Sequence, residues 1–246
     1  GADSFAFRAS DGSHESNEAA VSIEVLPPAG MQVLYVDADA SPGGDGSGWA
    51  TAFMDLQDAL AAAAASGLAT EIWVAEGTYT PDSGTLDKTA TFQLLNNVAL
   101  YGGFAGRDSS IYHGGETDRI QRDYAQNVTT LSGDLWGNDR ALISIPEPRQ
   151  LWSEITRHEN SNNVVDSSLV DRTSVIDGFT ISGGHGGGGS GLLNSEGSPV
   201  VRNCIFTENI CWHSGGAIAS YGGSPLVVGC TFVRNCAYMG SGSGGD

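Results

Sequence analysis

Positive charge is scarce in this sequence. Eleven lysines and arginines stand against 29 aspartates and glutamates, a formal net charge of −18. A surface with that balance repels nucleic-acid phosphates and anionic membranes, and it suits cations or neutral glycans. Long apolar runs are missing too. The longest, Ala59 to Ala65, is far short of a membrane helix, so no membrane insertion is expected within this segment. Glycine is plentiful at 35 residues but shows no collagen-type period, which excludes that fold. Charged residues reach only 16% while hydrophobic ones reach 40%, so the chain of 246 residues can bury a core. No export signal opens the chain. GADSFAFRAS begins in mid-pattern and GSGSGGD ends in mid-repeat, so the expectation is a piece of a longer exported protein, cut at both ends.

What is present divides into two parts. Phe5, Phe7 and Ala9 alternate, as do Val21, Ile23 and Val25, on either side of a polar, turn-rich stretch. Period-2 patterning predicts a two-strand hairpin over residues 1–26. Two strands alone bury too little surface to be stable, and this pair resembles the last two strands of a cadherin-like or immunoglobulin-like repeat of bacterial surface proteins. Residues 27–30 read as a stiff linker, and residues 31–246 as the second domain. In that domain Trp49, Phe53, Leu56, Leu60 and Ala63 recur at helical spacing. They predict one amphipathic helix over about residues 51–66, with Thr51 as N-cap and Gly67 as its stop.

The rest of the domain repeats. Cys204, Phe206 and Asn209 recur at one fixed step as Cys230, Phe232 and Asn235. That step, from 204 to 230, is of solenoid length. The GSP at 197–199 returns at 223–225, and SGLLN (190–194) aligns with GAIAS (216–220), both at the same step. Phe179 precedes Phe206 by one position more than that step, and IWVAEGTY (72–79) aligns with VALYGGFA (98–105) at the step itself. TTLSGD (129–134) continues the series. No repeat can bury its own apolar face, so neighbours must stack, placing like side chains over like. The predicted fold is all-β: a right-handed parallel β-helix whose N-terminal helix caps one end, preceded by the hairpin. Phe179, Phe206 and Phe232 are expected as vertical neighbours, and Asn209 over Asn235 as an amide ladder.

The motifs carry a resemblance. GGAI (215–218), FTEN (206–209) and FVRN (232–235) resemble the paired short motifs of chlamydial polymorphic outer membrane proteins. YVDADASPGGDGSGWATAFMDLQDAL, IWVAEGTYTP, LYGGFAG, LSGD and VIDGFTISGG resemble right-handed β-helix surface proteins of planctomycetes and other environmental bacteria. The resemblance implies a pectin-lyase-like fold for residues 31–246, a fold that hosts lyases, hydrolases, adhesins and inert stalks.

Candidate sites are few. Asp37, Asp39 and Asp45 share a glycine-rich loop and are candidate Ca2+ ligands, although Pro42 and Gly48 stand where a hand-type calcium loop needs glycine and glutamate. The competing reading has these aspartates accept turn amides. GHG at 184–186 matches part of a polygalacturonase set whose partner motifs are missing, and reads as a glycine-rich turn at a loop tip. Asp134, Asp139 and Asp177 could supply an acid and a base, or could each cap a turn. His113, His158, His185 and His213 show no metal-ligand spacing. An insertion over about residues 135–173 carries Trp136, Arg149, Trp152 and Arg157, which suit stacking on sugar rings or a protein contact, or else pin the loop down. Ile143 and Val164 are its candidate core residues. Cys204 and Cys230 are expected as stacked buried thiols. Cys211 and Cys236, at the same turn of neighbouring repeats, form either a disulfide or two free thiols.

No complete catalytic set is found. The functional expectation is a non-catalytic, secreted or cell-surface module acting in adhesion, polysaccharide binding or assembly. The alternatives are a polysaccharide lyase or glycoside hydrolase, and a filament subunit that self-associates by strand addition through the hairpin.

Overall fold

A computed structural model of the chain describes residues 2–8, 10–17, 19–24, 30–139 and 148–238. The chain divides into two compact units, Gly1–Met31 and Gln32–Asp246. In the first, Ala2–Phe7 and Ala19–Glu24 pair antiparallel, with Phe5 opposite Val21 and Phe7 opposite Ala19. Ala9 and Val25 lie outside the described residues, as does the assigned linker apart from Gly30.

The second unit is mostly β, and its strands lie in four sheets whose pairings are all parallel. The first sheet runs Leu226–Val228, Val200–Arg202, Val175–Asp177, Val98–Phe104, Thr70–Ala75, Gln32–Val36. The second runs Thr231–Val233, Ile205–Thr207, Phe179–Ser182, Thr129–Ser132, Gly77–Tyr79. A third holds His185–Gly188, Ile210–Ser214 and Cys236–Ala237, and a fourth holds Ile218–Tyr221, Leu192–Ser195, Val165–Asp166 and Phe92–Gln93. From Val175 onward the chain visits the four sheets in turn and then returns to the first.

Left-handed corners make this path possible. Gly178, Asn203 and Gly229 have φ of 84°, 52° and 66°, each at the bend from the first sheet into the second. Gly183, Glu208 and Arg234 have φ of 79°, 54° and 56° at the next bend. Glycine and asparagine reach this region at least cost, which explains the first set and Gly183 but not Glu208 or Arg234.

The interior is apolar. Ile72, Val74, Leu100, Leu131, Ile176, Ile181, Val201 and Phe206 are fully buried in one cluster. Phe206 stacks on Phe232 with centroids 5.3 Å apart and planes at 11°, as the repeat predicts. Phe179 does not continue that column. Ile181 is level with Phe206, because the step here is one position shorter than the common one, and Phe179 falls beside Cys204 instead. The step also differs near the start. Ile72 pairs with Leu100 and not with Val98, and the register slips between Trp73 and Ala75, so the alignment of 72–79 with 98–105 is incorrect. The common step holds for Leu192 with Ile218 and Val200 with Leu226.

The one α-helix among the described residues is Leu56–Ser66. Asp55 is its N-cap, accepting from the Gln57 N–H, and Gly67 closes it at φ 62°. Leu56, Ala59, Leu60 and Ala63 form its buried face, packed into the main cluster. Thr51 is not the cap. It ends a separate 3-10 turn, Trp49–Thr51, and its hydroxyl donates to Asp45. Trp49 belongs with Trp73, Tyr101 and Phe104 in a second cluster, and its Nε1 donates to the Glu116 carbonyl.

Candidate ligand-binding groove

The insertion returns to the sheets at Val164 and Val165, both fully buried, with Val165–Asp166 seated between Phe92–Gln93 and Leu192–Ser195. Ile143 lies outside the described residues. Before that return, the 3-10 helix Pro148–Ser153 packs on the third sheet, and a second, Ile155–Arg157, follows against it. Leu151 anchors them, fully buried against Ile210. This docking creates a groove of about 400 Å³, lined by Lys88, Trp152, His158, Asn162, His185 and Trp212 together with Gly186 and Gly187.

The groove's floor is aromatic. The Trp152 ring stacks on His185 at 4.4 Å and lies 5.0 Å from Trp212. Trp212 in turn stacks on Tyr238 at 5.3 Å. All three large rings are half-buried, so each keeps an edge or face toward solvent. His185 Nε2–H donates to the Trp152 carbonyl at 3.1 Å, which fixes the neutral tautomer. Burial pushes its pKa down to about 4, helped by Arg157, Lys88 and His158. Lys88 Nζ donates to the His158 carbonyl at the rim.

GHG is therefore not a loop tip. His185–Gly188 is a strand, and the glycines around it are dictated by contact. A Cβ on Gly184 would stand 2.0 Å from the Ser190 carbonyl oxygen, and one on Gly186 would stand 2.3 Å from that of Asn162. Only backbone stripped of side chains at these two positions lets its neighbours lie this close.

Behind the groove sits a charged cluster. Arg157 is 1% exposed. Its Nη1 pairs with Asp139 at 2.7 Å, and its Nη2 donates to the Glu208 carbonyl at 2.6 Å. Carboxylate oxygens of Asp134, Asp139 and Glu159 come within 4.8 Å of one another. Burial pushes the Asp139 carboxyl up to about 6 against the pull of Arg157.

Of the insertion residues expected at a ligand site whose side chains are described, only Trp152 lines the groove. Trp136 is exposed and stands apart from it, Arg157 is buried in an ion pair, and the Arg149 side chain lies outside what the structure describes. Sequence reasoning missed Trp212, Tyr238 and Lys88, and set His185 aside with GHG as a turn. The repeat held a signal for two of them, since Trp212 and Tyr238 are themselves one common step apart.

The other candidates serve the backbone. Asp45 Oδ1 accepts from the Ser47 amide and from the hydroxyls of Ser47 and Thr51, which hold its pKa down to about 2. Asp37 accepts from the Asp39 amide at 3.0 Å. Asp37, Asp39 and Asp45 do not gather into one metal-sized set among the described residues. Asp177 is buried and paired with Arg122 at 2.9 Å and Arg202 at 2.8 Å. None of the four cysteines is in a disulfide in the structure. Cys236 pairs in register with Ile210 and Cys211 with Ala237, so the two point to opposite faces of their sheet. That geometry disfavours the Cys211–Cys236 bridge.

Comparison with protein-family models, with curated proteins and with solved structures returns no match.

Proposed function

We propose that residues 31–246 form a right-handed parallel β-helix belonging to an extracellular or cell-surface module, and that its groove binds a polysaccharide. The winding through four parallel sheets supports the β-helix reading, and the preference of parallel crossovers supports the hand. On this reading the helix Leu56–Ser66, with its apolar face in the core, is the cap.

One observation carries the ligand class. Trp152, Trp212 and Tyr238 form a stacked, half-buried aromatic surface beside polar groups of Lys88 and Asn162. Apolar sugar faces stack on such rings while polar rims receive the hydroxyls. A glycan array followed by calorimetric titration of the best ligand tests this. Binding that falls at least tenfold in Trp212→Ala supports it. A blank array, or a ligand indifferent to Trp212, sinks it.

A second reading, cleavage of that polysaccharide, draws on Asp134 and Asp139, neighbouring carboxylates of which one is held near 6. Release of reducing ends or of unsaturated products from acidic glycans separates cleavage from binding alone.

A further inference from the structure

We infer that Asp134, Asp139, Glu159 and Asn160 form a calcium site behind the groove. Asn160 points to a ligand independently of the carboxylates. It is 0% exposed, and its Nδ2 donates to both Asp139 Oδ2 at 2.9 Å and the Gly183 carbonyl at 2.6 Å. Two acceptors on one nitrogen fix which way the amide faces. Its Oδ1, on the same amide that bonds Asp139, is then a buried acceptor that no donor reaches among the described residues. Asp139 Oδ1 and Glu159 Oε1 are buried without a donor as well. Three bare oxygens on neighbouring side chains call for a positive partner that brings its own charge.

Charge and donor chemistry point to a hard divalent cation. Asp134, Asp139 and Glu159 supply three negative charges. Arg157, which donates to Asp139 Oδ2 and to the Glu208 carbonyl, offsets one of them. Two remain. The Glu208 carboxylate lies 3.8 Å from Arg157 and 3.5 Å from Arg234, and the charge of Arg234 balances it. Oxygens around Ca2+, at about 2.4 Å each, stand at most about 4.8 Å apart, and one oxygen from each of the three carboxylates lies within that limit of the others. The set contains only oxygen donors, which suits a hard cation and not zinc. Asp134 is already oriented, since its two oxygens accept the amides of Asn138 and Asp139 at 3.1 and 2.9 Å.

The site would also brace the groove. One segment supplies both, with His158 and Asn162 lining the groove and Glu159 and Asn160 at the cluster. A bound ion would hold that segment in place without touching the groove ligand.

The test uses the full chain stripped with EDTA, titrated calorimetrically with CaCl2 and separately with MgCl2, and melted with and without each. The expected result is one Ca2+ per chain, a higher melting midpoint on saturation, and Ca2+ preferred over Mg2+. Glu159→Gln and Asp134→Asn should each weaken binding at least tenfold, and the double variant D37N/D45N should not. Circular dichroism reports whether each variant is folded, and the wild-type titration stands whether or not they are. No heat and no midpoint shift in the wild type at millimolar CaCl2 overturns the inference. So do binding lost in D37N/D45N, binding kept within twofold in both cluster variants, and tighter binding of Mg2+.

Discussion

Asn209 Nδ2 donates to Asn235 Oδ1 at 3.0 Å, one step of the repeat away. The same nitrogen donates to the Ile181 carbonyl, and Asn209 Oδ1 accepts from the Gly184 amide. The side chain thus ties three layers at a corner where backbone groups have no sheet partner. Asn209 is fully buried and Asn235 only partly. Asn209→Ala should cost about 2–4 kcal/mol, because it strands a buried N–H and a buried C=O together. Asn235→Ala should cost clearly less. Chemical denaturation of the two variants checks both the size and the order.

Asp177 is the charged counterpart of that tie. Two arginines and the Asn203 amide converge on its buried carboxylate. Asp177→Ala should destabilise by about 3 kcal/mol, since Arg122 is left largely buried without its partner. Folded Asp177→Ala of unchanged stability would mean that water takes over the role of the carboxylate.

In the groove, Trp212→Ala should lose glycan affinity while moving the melting midpoint little, because the ring is half-exposed and stacks mainly on Trp152 and Tyr238. Trp152→Ala should lose both, because that ring also covers His185. Paired titration and melting curves distinguish the two outcomes.

His185 gives a pH dependence with a definite sign. Its pKa is 6.5 in the unfolded chain and about 4 in the native one. Between those values the unfolded state binds a proton that the native state does not, so stability rises with pH across this window. The contribution is complete above about pH 6.5 and is lost as pH falls toward 4, with a ceiling of about 3 kcal/mol. Asp139, raised to about 6, acts in the opposite sense. The readout is therefore the difference between wild type and His185→Gln, which should close at low pH.

The repeat is readable because stacking forces like residues to one level. Phe206 with Phe232, and Asn209 with Asn235, are level as their common spacing requires. Phe179 misleads because the interior position accepts any large apolar side chain. Ile181 fills it, and the aromatic ring is no marker of register. The step near the start is already longer from Thr70 to Trp73 and lengthens again at the register slip after Trp73, and neither change leaves a trace in composition. Glycine reads as a turn signal at 184–186, where it answers to close packing instead. The groove is least legible. Its walls come from Lys88, Trp152, His185 and Trp212, which no spacing rule relates, and Arg157 looks like a ligand contact until its buried carboxylate partner is in view.

Trp212 and Tyr238 occupy successive layers of the third sheet, and layers in any sheet are about 4.8 Å apart. The aromatic surface is therefore a ruler whose markings are fixed by backbone hydrogen bonding and not by the rings. A polymer whose own units advance by a similar distance would meet an equivalent contact at each mark, and one with a mismatched pitch would drift out of phase after a single unit.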